Sequence, residues 1–185
     1  MKKGFTLIEV LAVVLIIGIL SAIAMPQYRK SIERTRISEA KQLLPAIYDA
    51  QQRHDVEVDT VSDVPSFAKL DINLKGTIGR GSNEWETANF SYILPSHALV
   101  YQTMGTTNAP VFAMVKEGKF RGTQILYDGE NFYCNNQNSY TQTPDPCVQY
   151  QIASNSTYSA MGNAIYNART PEAIAREPNW DDWDD

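Results

Sequence analysis

Apolar side chains fill positions 5–25 almost without interruption, and the pattern then changes character. Residues 4–25 read GFTLIEVLAVVLIIGILSAIAM, with Glu9 the one charged side chain among them. As a helix, the 21 residues of positions 5–25 span roughly 31 Å at about 1.5 Å per residue, one hydrocarbon core. From Pro26 onward the pattern becomes one-sided. Ile32, Ala40, Leu43, Leu44, Ile47 and Ala50 recur at spacings of three to four, with Arg36 the exception on that face. Arg29, Lys30, Glu33, Arg34, Glu39 and Lys41 occupy the other faces. The pattern predicts one helix over 5–53, apolar all round in its first half and amphipathic in its second. Such a helix meets lipid first and a folded domain afterwards. Pro26 and Pro45 lack the amide that bonds one turn back, so each should loosen the helix, near Ala22 and Lys41 respectively.

Residues 54–88 keep no period and contain Pro65, Gly76, Gly79 and Gly81. They read as a connecting loop with short elements near 67–74. Alternation then takes over, beginning with Phe90, Tyr92 and Leu94. Further strands are expected over 98–103, 111–116, 123–127 and 131–134, His97 beginning the first of these. Asp128-Gly129 marks a hairpin and Asn108-Ala109-Pro110 another turn. A short helix is expected over 159–169. Three or four antiparallel strands on the amphipathic helix make an α+β domain. The expected organisation is a leader at 1–4, a spanning helix at 5–25 and its amphipathic continuation at 26–53. A connecting loop follows at 54–88, then a sheet with a cysteine-bounded loop at 89–150. An extension at 151–185 ends in Trp180-Asp181-Asp182-Trp183-Asp184-Asp185.

Charge narrows the function classes. The 185 residues carry a formal net charge of −5, and losing Lys2 and Lys3 would leave 14 basic against 21 acidic residues, or −7. That disfavours a nucleic-acid binder for the main body. Cys134 and Cys147 are the only cysteines. In an exported domain they most simply form one disulfide, whereas a thiol metal site lacks further ligands at workable spacing.

Other candidate chemistry is thin. Residues 76–82, GTIGRGS, lack the Gly-Lys-Ser/Thr ending of a phosphate-binding loop. His54 and His97, the only histidines, sit in unlike contexts, and His54 is expected to end the long helix. A hydrolase would need an orienting carboxylate and a nucleophile beside one of them. Asp55, Glu57, Asp59, Asp71 and Asn73 do not follow a calcium-loop pattern. Asp145 and the final aspartates are the remaining calcium candidates. The triplet Asn155-Ser156-Thr157 reads as a chance glycosylation match. No catalytic residue, cofactor or metal is expected.

The informative residue is Glu9. A carboxylate at the centre of a membrane helix costs about 2.5–3.5 kcal/mol, less near the end, and an intramembrane charge implies a partner. A short basic leader, Met1-Lys2-Lys3-Gly4, precedes the run, which is too long for an ordinary cleaved signal. Arg29, Lys30, Arg34 and Arg36 follow it, outnumbering Lys2 and Lys3. A simple positive-inside count would put the far side in the cytoplasm.

The string Lys2-Lys3-Gly4-Phe5-Thr6-Leu7-Ile8-Glu9-Val10 resembles the type IV pilin family, which includes the pseudopilins of type II secretion. The strong likeness covers about the first 50 residues. It implies that a prepilin peptidase cuts after Gly4 and methylates the new amine of Phe5, with the apolar run retained. It implies the reverse of the charge-count topology: a single-pass inner-membrane precursor, then a periplasmic or extracellular filament. Gly18, Pro26 and, approximately, Pro45 fall where the family has helix-loosening residues. Cys134 and Cys147 resemble the disulfide that bounds the family's C-terminal loop. The implied assembly contact joins the Phe5 amine of one subunit to Glu9 of another. The implied partners are further pilin subunits, the peptidase, an assembly ATPase and an inner-membrane platform protein. The resulting expectation is a structural subunit, major or minor, of a type IV pilus-like filament. The alternatives are a type II secretion pseudopilin and a minor pilin serving adhesion or DNA uptake.

Overall fold

A computed structural model describes residues 6–58, 65–104, 109–136 and 145–168. Its contacts divide the chain into two units, Met1–Glu39 and Ala40–Asp185. Helix α1, Leu7–Val58, contributes to both. It runs five residues beyond the expected end at Arg53, so His54 lies inside the helix. Helical structure is continuous through Gly18, Pro26 and Pro45, although each proline leaves one carbonyl without its usual amide partner.

In the first unit every described side chain as far as Lys30 is exposed, from Leu7 at 88% to Tyr28 at 65%. The stretch is long and apolar enough to cross a membrane. An apolar surface of this size is costly in water and signals a lipid or protein partner.

The second unit is built on a six-stranded antiparallel meander in sequence order. Its strands are β1 (Thr77–Ile78), β2 (Glu84–Glu86), β3 (Phe90–Ile93), β4 (Val111–Val115), β5 (Gln124–Tyr127) and β6 (Phe132–Asn135). Two strands therefore come from the segment expected to be loop. Runs of two and three residues are too short to display a period, and glycines conceal them further. Gly76, at φ 143, lies where a side chain would strike the Glu86 carbonyl and Trp85.

The larger correction concerns residues 98–103. They form helix α2, His97–Met104, not a strand. Ser96 starts it, its Oγ accepting the Leu99 amide at 3.3 Å. Leu99, Val100 and Met104 share the inward side, a helical spacing that a six-residue window confuses with alternation. Helices α3 (Pro146–Tyr150) and α4 (Ser156–Ala168) complete the domain.

Both faces of the sheet are covered. Register places Tyr92, Ala113, Ile125 and Cys134 on one side. Ala40, Leu44, Ile47 and Ala50 of α1 are buried, and Tyr48 meets Tyr127 edge-on at 5.6 Å on that side. Ile93, Phe112, Met114 and Leu126 point the other way, packing with Val100 of α2 and Met161 and Ile165 of α4. Strands covered on both faces read as continuous apolar runs. That accounts for the Val-Phe-Ala-Met-Val sequence of β4.

Candidate functional site

Helix α1 begins with a reciprocal cap. The Glu9 carboxylate accepts the Thr6 backbone N–H at 2.9 Å and the Thr6 hydroxyl at 2.6 Å. Thr6 Oγ1 in turn lies 3.4 Å from the Glu9 amide. This is a Thr-x-x-Glu capping box, which satisfies amide groups that a helix start leaves unpaired. The sequence reading gave Glu9 a partner on another subunit and missed this local one. The four-residue pattern before an apolar run is the signal that finds it. Both strong contacts fall on Oε2, and Oε1 takes none among the described residues. An ionised carboxylate keeps several acceptor sites, so Glu9 can hold its cap and receive a cation together. Gly4 and Phe5, the expected cleavage and methylation residues, lie outside the described residues.

Cys134 and Cys147 are joined by a disulfide with Cα atoms 5.5 Å apart. Both are buried, at 1% and 6% exposure, so the bond acts within the core. It ties β6 to α3. Asp145 caps α3, accepting the Cys147 amide at 2.9 Å, which commits part of its carboxylate to structure. The neighbouring segment 137–144 and the Trp-Asp tail lie outside the described residues, as does Asp59.

The glycine-rich loop at 76–82 is turned inward to its own chain. Glu84, buried at 6% exposure, accepts the Arg80 amide at 3.2 Å. A carboxylate in that position disfavours a phosphate. The two histidines, read as unrelated, converge on one residue. His97 Nε2 donates to Asp55 Oδ2 at 3.0 Å, and His54 Nδ1 lies 3.7 Å from Asp55 Oδ1. The group joins the last turn of α1 to the first residue of α2. Among the described residues no three ligating side chains are arranged to hold a metal. Asn155 caps α4, its Oδ1 accepting the Thr157 amide at 2.9 Å, so the glycosylation triplet has a structural use.

One turn links all three layers. Asp128 accepts the Glu130 and Asn131 amides at 3.0 and 2.8 Å and the Tyr158 hydroxyl of α4 at 2.8 Å. Burial pushes the Asp128 pKa up. The two amides and the hydroxyl outweigh it, leaving the carboxyl below its ordinary value. Burial first, then the Asp128 contact, raises the Tyr158 hydroxyl well above its ordinary value.

Comparison with known proteins finds a family match that includes the capped end. Residues 1–25 match the family model for the prokaryotic N-terminal methylation motif. The chain is 52% identical over 62 residues to the type IV major pilin protein PilA of Myxococcus xanthus, covering 34% of this chain and 28% of that protein. It is 38% identical over 86 residues to a fimbrial protein of Pseudomonas aeruginosa, covering 45% and 56%. A third match, the type IV major fimbrial protein FimA of Dichelobacter nodosus, is 60% identical over 38 residues, covering 20% and 24%. The chain thus spans between about a quarter and just over half the length of these curated relatives. No solved structure matches.

Proposed function

We propose, from the match of residues 1–25 to the methylation-motif model and the similarity to type IV pilins, that this chain is a member of that family and a structural subunit of a type IV pilus-like filament. The observation that carries the reading is the capped, fully exposed apolar helix that precedes a compact domain. The precursor inserts through residues 5–25 and a prepilin peptidase trims it after Gly4. Subunits then leave the membrane with the help of an ATPase and a platform protein. Apolar helix faces exchange lipid for one another, so van der Waals packing between helices holds the core. The Phe5 amine of an incoming subunit meets Glu9 of one already assembled, at Oε1, which takes no hydrogen bond among the described residues. Gly18, Pro26 and Pro45 let the helix adjust as it packs. The domain, stapled by its disulfide, faces outward and sets surface properties.

Labelling the cell surface with antibody to the domain, viewed by electron microscopy, tests this. A major subunit decorates filaments along their length, and a minor one marks tips or sparse points. Strong envelope labelling with no filament labelled, under conditions where filaments form, would contradict the proposal.

A further inference from the structure

The strongest unexplained feature is a basic face just beyond the apolar stretch of α1. Arg29, Lys30 and Arg34 are all exposed. Lys30 and Arg34 stand one turn apart on the same side of the helix. The nearby Glu33 is engaged by Arg36 at 3.3 Å. Among the described residues, Arg29, Lys30 and Arg34 have no ion-pair partner. These are also the charges that, by the positive-inside count, run against an exported domain. A filament sharpens the problem, because packed helices lie about 8–10 Å apart. The same cations then recur from each copy at distances near the Debye length of about 8 Å at physiological salt. Such an array requires counter-charge.

The chain carries its own. Residues 170–185 hold six carboxylates against Arg176, a formal −5. They also contain Trp180 and Trp183, two of the three tryptophans in the chain. Tryptophan spaced by aspartate pairs suits a surface of guanidinium groups: the carboxylates pair with the cations and the indoles lie over them.

We infer that residues 170–185 of one copy dock on the Arg29–Lys30–Arg34 face of another copy in the filament. The inference rests on the filament reading above. It gives the acidic extension a partner of stated chemistry, a second copy of this chain. The docked segment neutralises the basic collar, so that helices carrying it can pack side by side.

The test uses filaments grown from light and heavy isotope-labelled full chains, treated with a zero-length carbodiimide. Mass spectrometry should find heavy–light peptides joining Lys30 to an aspartate within 181–185. In filaments of the Asp181→Asn, Asp182→Asn, Asp184→Asn, Asp185→Asn variant those peptides should fall to background. In a Trp85→Phe chain the remaining fluorescence comes from Trp180 and Trp183. Acrylamide should quench it less in filaments than in detergent-dispersed subunits. The Lys30→Glu, Arg34→Glu variant should lose that protection. Filaments with no such cross-links, or with same-chain links alone, would overturn the inference and leave the filament reading standing. Protection unchanged in Lys30→Glu, Arg34→Glu filaments would also overturn it. If microscopy finds no filaments of the wild-type chain, both readings fall together.

Discussion

Glu9 has one partner within its own chain and a second proposed between chains, and the two make separable predictions. Within one chain it closes a capping box with Thr6; between chains it is assigned the Phe5 amine. Glu9→Leu should leave insertion and cleavage largely intact and stop polymerisation. Deleting one partner of a buried ion pair costs about 3–5 kcal/mol. Intact mass of the membrane fraction beside sheared filament yield, from the same cells, measures both. Normal filaments built wholly of Glu9→Leu protein would remove Glu9 as the assembly contact. Thr6→Val should act more weakly, since losing an N-cap costs about 0.5–2 kcal/mol. Asp128 and Tyr158 set a pH window on the domain. The depressed carboxyl contributes stability above its unfolded value of 3.8, lost as pH falls through its lower folded value. The raised phenol contributes fully below its unfolded value of 10.0, lost as pH climbs through the folded one. Tyr158→Phe should cost about 1 kcal/mol at neutral pH and flatten the alkaline limb in urea unfolding. At this scale the sequence made Glu9 conspicuous but concealed the pairing of His54, Asp55 and His97, because 42 residues separate Asp55 from His97.

Elements were legible in proportion to their length. Helix α1 follows directly from a sustained pattern, and β4 and β5 from their apolar runs. The two-residue β1 and three-residue β2 left no period to read. Helix α2 misled because its inward residues, Leu99 and Val100, are adjacent and Tyr101 is exposed. The Ser96 cap was the better guide. Helix α4 crosses the sheet closely enough that a side chain at Gly162 would meet Gln124 and Asn135. Gln124 Nε2 donates to the Gly162 carbonyl at 3.1 Å. Gly162→Ala should therefore destabilise the domain by about 1–3 kcal/mol, read by thermal melting. The disulfide works at the same scale. It closes a 13-residue separation, and the chain-entropy model assigns a loop of that size roughly 3 kcal/mol. Cys147→Ser should lower the melting temperature and filament yield together. Both thiols reacting in the folded, unreduced protein would contradict the staple.

At the scale of the molecule, the α+β plan was legible and its thickness was not. A helix packed on one face of a sheet was expected. The structure has helices on both faces: the spacing in α2 was read as a strand, and the helix expected over 159–169 was given no place on the sheet. The apolar half of α1 has no such complement within its own unit and must find one elsewhere. That requirement, with the Lys-Lys-Gly end of the leader ahead of Phe5 and Thr6, is the physical basis of the proposed assembly. The most direct measurement is intact mass of the subunit recovered from sheared surface filaments. The account predicts a chain that begins at Phe5, one methyl group heavier than the unmodified residues 5–185, with the cysteines oxidised. A subunit that begins near Pro26, or filaments from which this chain is missing while its domain is abundant in the envelope, would contradict it.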